Sequence, residues 1–150
     1  QRWLSGDYEI DSMLFEQRLQ KVAAGGGGRL MNHWRDLIET LPVATQILES
    51  RLRRRPLCFP GMRTADADTF YRVMQTSFIS DLQREAARLN RNSYDLLSEI
   101  HVMEELLRSE NTAAYSAWQE ERRILVSDGR AAIKSHIDAL APLLEQCGFI

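Results

Sequence analysis

The sequence predicts an all-α protein, a bundle of four to six helices built around one long helix over about residues 67–108. Three observations support this fold class. Apolar residues recur every three or four positions along most of the chain, which is the spacing of one helix face. No sustained run alternates β-branched and polar residues, as a half-buried strand does. Glycine and proline, which interrupt regular structure, are concentrated in a few short segments.

The size and composition indicate one globular domain: 150 residues, of which 44% are hydrophobic and 27% charged. The net charge of −2 neither demands nor excludes a nucleic-acid partner. This charge is uneven, because residues 29–63 contain seven arginines against three acidic residues, whereas residues 64–150 contain nine basic against fourteen acidic residues. No apolar run approaches the roughly 20 residues of a membrane span, so we expect no membrane partner.

The first helix is predicted over residues 7–24, and a run of four glycines follows it. Native turns more often mix glycine with Asp, Asn, Ser or Pro. Gly25–Gly28 therefore indicates an engineered segment, either a shortened loop or a linker that fuses residues 1–24, as a partner peptide, to a bundle domain of residues 29–150. In the fused arrangement, the apolar stripe of the first helix would anchor it in a groove of that domain. The stripe contains Ile10, Met13, Leu14, Leu19 and Val22.

The second helical region covers residues 30–52, and Pro42 predicts either a kink or two abutting helices there. Residues 55–64, rich in proline and glycine, form the clearest non-helical connection. The long helix follows, capped by Thr64 or by a nearby aspartate. From residue 79 to residue 107 its apolar positions alternate steps of three and four, with Ser93 the one polar member. Such a seam is typical of a bundle core or of half of a dimer interface.

The last third of the chain is predicted to contain two helices. Asn111 is the expected N-cap of the first of them, and residues 127–129 (Ser-Asp-Gly) predict a break between the two. Pro142 is expected to bend the final helix, and Gly148 is well placed to terminate it. The aromatic residues lie mostly in phase with the apolar stripes and are predicted to be core residues. They are Trp34, Phe70, Phe78, Tyr94, Tyr115 and Trp118.

The most visible polar feature is a cluster of four arginines, Arg51, Arg53, Arg54 and Arg55. A solvated helix C-terminus is its simplest interpretation, because cations there meet the negative end of the helix dipole. An acidic protein surface is the next candidate. Nucleic acid is less favoured, since no aromatic residues interleave with the arginines to stack on bases and the rest of the chain is acidic.

No cofactor or metal is expected, because none of the three histidines has a glutamate three residues before it, as a di-iron bundle requires. His101, with Glu104 and Glu105 nearby, is the best location for a polar pocket if the protein is an enzyme. Two cysteines are too few for a disulfide scaffold and favour a reducing compartment, hence the cytoplasm or nucleus. Cys58, beside Leu57, is interpreted as a small apolar packing residue.

Motifs for nucleophilic catalysis, phosphate binding and dinucleotide binding are not found, so we expect a non-enzyme. The sequence predicts a protein-interaction or assembly module of a larger intracellular complex, acting by helix-in-groove recognition. A protein partner is expected, and the sequence also allows a homodimer. The alternatives are a nucleic-acid-associated helical domain and a helical enzyme with a pocket between helices. The predicted partner-binding residues are Ile10, Met13, Leu14, Leu19, Val22, Arg51, Arg53, Arg54 and Arg55.

Overall fold

A computed structural model describes residues 12–54, 56–59 and 62–149 of the chain. Within these ranges the protein is a helical bundle without β-strands, so the predicted fold class is confirmed. A π-helical segment, Met74–Leu82, joins the third and fourth helices without a break. The α-helices are α1 (Ser12–Ala24), α2 (Gly27–Arg54), α3 (Ala65–Val73), α4 (Gln83–Leu106) and α5 (Ala113–Gln146).

The predicted long helix is present as a continuous rod from Ala65 to Leu106, formed by α3, the π-helical segment and α4. Thr64 caps it, because its Oγ1 accepts a hydrogen bond from the backbone N–H of Ala67 at 3.2 Å. The periodic seam predicted the rod but not the π-helical turns within it. α1 packs mainly against α4, and α2 packs most extensively against α5.

The core is centred on Trp34, whose side chain is fully buried between α2, α4 and α5. Its indole Nε1 donates a hydrogen bond to Ser93 Oγ at 2.8 Å, which explains the polar member of the seam. On the α5 side the ring lies against Gly129, where an added Cβ would come within 2.3 Å of the ring. Glycine is therefore required by the close approach of α2 and α5.

The break predicted at residues 127–129 is wrong, because α5 runs unbroken through them. Gly129 serves this close helix contact, and tertiary packing outweighs its poor helix propensity. α2 likewise continues through Pro42 as one helix. The N-cap of α5 is Thr112 rather than Asn111, since Thr112 Oγ1 accepts from the N–H of Tyr115.

The glycine run forms the tight turn between α1 and α2. Gly26 has a φ of +65°, which non-glycine residues rarely adopt, and a Cβ at Gly25 would lie 2.6 Å from Leu96. Gly27 and Gly28 are the first residues of α2. Two of the four glycines thus have a structural reason to be glycine. The division into a peptide and a domain, and the origin of the run, stay predictions.

The end of α5 is fixed by a glycine cap and a disulfide bond. Gly148 has a φ of +63°, and the N–H of Phe149 reaches back to the Leu144 carbonyl at 2.9 Å, so the predicted terminator is confirmed. Cys147, in this last turn, is bonded to Cys58 with a Cα–Cα distance of 5.2 Å. The interpretation of Cys58 as an unbonded packing residue is therefore wrong, although the side chain is buried as expected.

Candidate functional site

A cleft of about 440 Å³ opens where the end of α4 meets the beginning of α5, and we call it the α4–α5 cleft. Most of its wall is apolar. α1 contributes one lining residue, α4 three, the connection to α5 three, and α5 two. The lining residues are Val22, Ile100, Met103, Glu104, Leu107, Asn111, Thr112, Tyr115 and Trp118.

Helical spacing places these side chains on facing walls. The three α4 residues follow one another by three positions and one position, so they share one face of the helix. Tyr115 and Trp118 are three residues apart on α5, and their rings meet with centroids 5.4 Å apart. The Thr112 cap starts α5 directly after the connection, which turns this pair toward α4.

The polar end of the cleft is a buried ion pair between Glu104 and Arg122. The guanidinium donates two hydrogen bonds to the carboxylate, at 2.8 and 3.0 Å, and the hydroxyl of Tyr115 donates a third at 3.0 Å. Glu104 is 8% exposed and Arg122 12%. Arg122 also lies over the Trp118 ring, 4.8 Å from its centroid. The pair therefore holds the aromatic wall in place as well as neutralising the carboxylate.

The carboxyl group of Glu104 stays ionised in this environment. Burial raises its pKa, but hydrogen bonds from Arg122, Gln119 and Tyr115, together with the charge of Arg122, lower it further than burial raises it. The net effect is a pKa below the usual 4.5. Both carboxylate oxygens already accept hydrogen bonds from Arg122, so Glu104 is poorly suited to accepting a proton from a ligand. The mostly apolar lining suits the cleft to an apolar ligand instead.

Acidification is expected to weaken the fold through Glu104. Because its pKa is lower in the folded state, its stabilising contribution is complete above the ordinary pKa of 4.5 and is lost as the pH falls through the lowered value. The free energy of unfolding, measured between pH 7 and pH 3, should therefore fall less steeply in Glu104→Gln, which should also be less stable at pH 7.

Glu120→Gln is the matched control, because Glu120 forms an exposed side-chain pair with Arg123 that water and salt screen. It should change the pH profile less than Glu104→Gln does. Equal profiles for the two variants would contradict a structural role for the buried pair.

The predicted apolar anchors of α1 have different positions in the structure. Val22 is half-buried and lines the α4–α5 cleft, whereas Met13, Leu14 and Leu19 are exposed, at 67%, 43% and 48%. Ile10 lies outside the described residues. Because α1 packs mainly on α4, its remaining surface faces outward, and any partner contact by these three residues stays a prediction.

Ion pairs contribute to holding α1 on α4. Glu99 accepts hydrogen bonds from Arg18 at 2.6 Å and from Lys21 at 3.1 Å. These two pairs and the half-buried Val22 are among the contacts by which the described part of α1 is joined to the rest of the bundle in this region. The sequence offered a signal for this arrangement, since Arg18 and Lys21 are three residues apart and so share a face.

Three arginines of the cluster, Arg51, Arg53 and Arg54, lie in the last turn of α2. Arg51 lies 3.9 Å from Asp66, and Arg53 lies 3.8 Å from Glu49, so these two are near acidic groups of the chain itself. Arg54 is exposed, and Arg55 lies outside the described residues. The structure thus brings Arg51 and Arg53 near acidic groups of the chain itself, and none of the three described arginines lines the α4–α5 cleft.

The histidines are separate from one another and from the cleft. His33 and His101 are exposed, and His136 is buried. His101 does not line the α4–α5 cleft, although Glu104, three residues on, does. In the described ranges, no three His, Cys, Asp or Glu side chains converge as a metal site requires. None of the helices described there is long and apolar enough to span a membrane.

Sequence reasoning missed the Glu104–Arg122 pair and the exposure of the aromatic wall. Trp118 is 45% exposed and Tyr115 36%, and Tyr94, also predicted as core, is 72% exposed. The available signal was the spacing of four residues between Trp118 and Arg122, which places the two side chains on one face of α5. Whether these two side chains face Glu104 depends on how the connection between α4 and α5 turns the chain, which the spacing does not show.

Comparison with known proteins gives a family but no characterised relative. The model of the family described as "Protein of unknown function (DUF3080)" matches residues 1–150, the whole chain. No curated protein and no solved structure matches the chain.

Proposed function

The chain belongs to the DUF3080 family, whose function is unknown, and we propose that it is a protein-interaction module that binds the apolar face of a partner helix in the α4–α5 cleft. The observation that carries this proposal is the pair of aromatic residues Tyr115 and Trp118 on one wall of an apolar cleft, with Arg122 stacked on the Trp118 ring. Trp, Tyr and Arg are the residue types most enriched among the side chains that dominate binding energy at protein interfaces.

The rigidity of this wall supports binding. Arg122 is fixed by two hydrogen bonds to Glu104 and stacks on Trp118, and Tyr115 donates to the same carboxylate. Side chains that are already ordered lose less conformational entropy when a partner binds, so more of the contact energy contributes to affinity.

The exposure of the cleft rim also supports a partner. Leu107, Tyr115 and Trp118 each leave more than a third of their surface open. Large apolar side chains that surround a recess on a protein surface are typical of an interaction site. A helix fits such a recess when its apolar residues recur at three and four positions, because these project from one face.

Trp118→Ala is expected to weaken partner binding at least about thirtyfold while the protein stays folded. Loss of a central aromatic contact costs about 2 kcal/mol or more of binding free energy, roughly thirtyfold in Kd. The partner would be isolated with the wild-type chain from cells that express it naturally, then purified and titrated against each variant by calorimetry.

Tyr94→Ala is the matched control, because Tyr94 is an exposed aromatic residue of α4 that does not line the cleft. It should bind the partner as the wild type does. The proposal is wrong if Trp118→Ala and Tyr94→Ala bind with equal affinity.

The remaining parts of the sequence-based hypothesis are also proposals. A homodimer is a special case of the same mechanism, in which a helix of a second copy occupies the cleft. Arg51 and Arg53, being close to internal acidic residues, offer less to an acidic partner than the sequence suggested. No contact of the described residues specifically favours the nucleic-acid or enzyme alternatives.

A further inference from the structure

A second recess surrounds His136, away from the α4–α5 cleft, and residues of α2, the π-helical segment and α5 line it. π-helical turns are rare and frequently mark functional sites. This one has nine residues, and Ser80 Oγ donates to the carbonyl of Gln75, five residues earlier. It presents Phe78 to the imidazole of His136, with ring centroids 5.4 Å apart and planes 47° apart.

The hydrogen bonds of Thr45 determine which nitrogen of His136 carries the proton. Thr45 Oγ1 lies 2.8 Å from the Leu41 carbonyl and 3.0 Å from His136 Nδ1. A hydroxyl has one hydrogen and a carbonyl can only accept, so Thr45 donates to Leu41. It must therefore accept from Nδ1–H. In the neutral ring the other nitrogen, Nε2, is then an unprotonated acceptor.

The ring is neutral near pH 7, because burial lowers the pKa of His136 below its ordinary 6.5. The side chains that face it from α2 and from the π-helical segment, Thr45 and Phe78 among them, are uncharged. On α5 itself the nearest charged residues are Lys134 and Asp138. Both side chains are exposed, and they form an ion pair with each other.

His136 borders two clefts, of about 280 and 200 Å³. The larger is lined by aromatic and aliphatic side chains, among them Leu48, Phe70 and Phe78, and the smaller by Leu41 and Ile133 among others. No lining residue of either cleft is charged. Among the described residues, Nε2 has no hydrogen-bond partner. An oriented acceptor beside an apolar recess fits an apolar molecule that has one donor.

We propose that the recess around His136 binds a small aromatic molecule with one hydroxyl group, a phenol, whose O–H donates to Nε2 while its ring packs against Phe70 and Phe78. The aromatic lining favours a ring over an aliphatic chain. The lack of charged lining residues disfavours an ionic ligand. This site is independent of the α4–α5 cleft, so either proposal can fail without the other.

The test compares p-cresol with toluene, which has the same ring and methyl group but no hydroxyl. Binding is followed on the full chain by NMR of ¹⁵N-labelled histidine. At pH 7.5, p-cresol should bind about tenfold more tightly than toluene, the gain expected for one well-made hydrogen bond. The Nε2 resonance of His136 should shift with p-cresol and not with toluene.

Two further measurements separate recognition by Nε2 from general apolar binding. The preference for p-cresol should disappear in His136→Leu. In the wild type at pH 7.5, 4-methylanisole, which keeps the oxygen but has no O–H to donate, should bind no more tightly than toluene. The 4-methylanisole measurement needs no variant, so it decides the matter even if His136→Leu fails to fold. Equal affinities for p-cresol and toluene at pH 7.5, no binding of either, or equal affinities for p-cresol and 4-methylanisole would each overturn the proposal.

Discussion

Trp34→Ala is expected to destabilise the bundle by about 3–5 kcal/mol, the usual cost of removing a large aromatic side chain from a core. Trp34 is fully buried, and its ring fills the space between α2, α4 and α5. The substitution also removes the hydrogen bond to Ser93, whose buried hydroxyl then loses a partner. Since domains are typically stable by 5–15 kcal/mol, this loss is a large part of the total. Urea denaturation followed by far-UV circular dichroism measures it.

Two other variants make the measurement specific. Trp118→Ala removes the same side chain at an exposed position, and it should change the stability by less than about 1 kcal/mol. Trp34→Phe keeps a ring but loses the donor to Ser93, so an intermediate loss of about 1–3 kcal/mol is expected. A Trp34→Ala variant as stable as Trp118→Ala would show that Trp34 is not the centre of the core.

Breaking the Cys58–Cys147 disulfide is expected to cost about 2–5 kcal/mol. The bond closes a long loop, because the two cysteines are 89 residues apart, and a long closed loop restricts the unfolded chain strongly. It also joins the connection before α3 to the last turn of α5, beside Leu57 and Leu143. Denaturation of the wild type with and without reductant, compared with Cys58→Ser/Cys147→Ser, measures the effect.

The double serine variant is the control, since its stability should not respond to reductant. Equal stability of the oxidised and reduced wild type would contradict a stabilising disulfide.

Trapping of free thiols in intact cells tests the compartment as well. Disulfides persist in oxidising compartments, so this bond argues against the reducing environment that the cysteine count suggested. The cytoplasmic or nuclear location stays a prediction that the same measurement tests.

Local patterns predicted the helices because helix formation depends on near neighbours. The alternating apolar spacing predicted the extent of the long helix, and the position of Gly148 predicted the end of α5. Both signals depend only on residues close together in the sequence. Gly129 shows where such reasoning fails. Locally it indicates a break, but in the structure it lies against Trp34, which is 95 positions earlier in the chain. Only the packed bundle reveals that contact.

The site was less predictable than the fold for the same reason. Val22 was identified from its stripe, and Glu104 was noticed only as a neighbour of His101. Its partner, Arg122, comes from another helix, and their meeting depends on how the connection turns the chain. The disulfide is a similar case, since two cysteines among 150 residues carry no pairing signal until the ends of the fold are brought together.

The α4–α5 cleft is most directly tested by photo-crosslinking from inside it. A benzophenone amino acid at Leu107, which lines the cleft, is compared with the same group at Tyr94, which does not. In cells that express the protein naturally, position 107 should yield one discrete protein adduct. The attached peptide should have apolar residues at helical spacing, and Trp118→Ala should remove the adduct. The same adducts from both positions, or no protein adduct from position 107, would contradict the account.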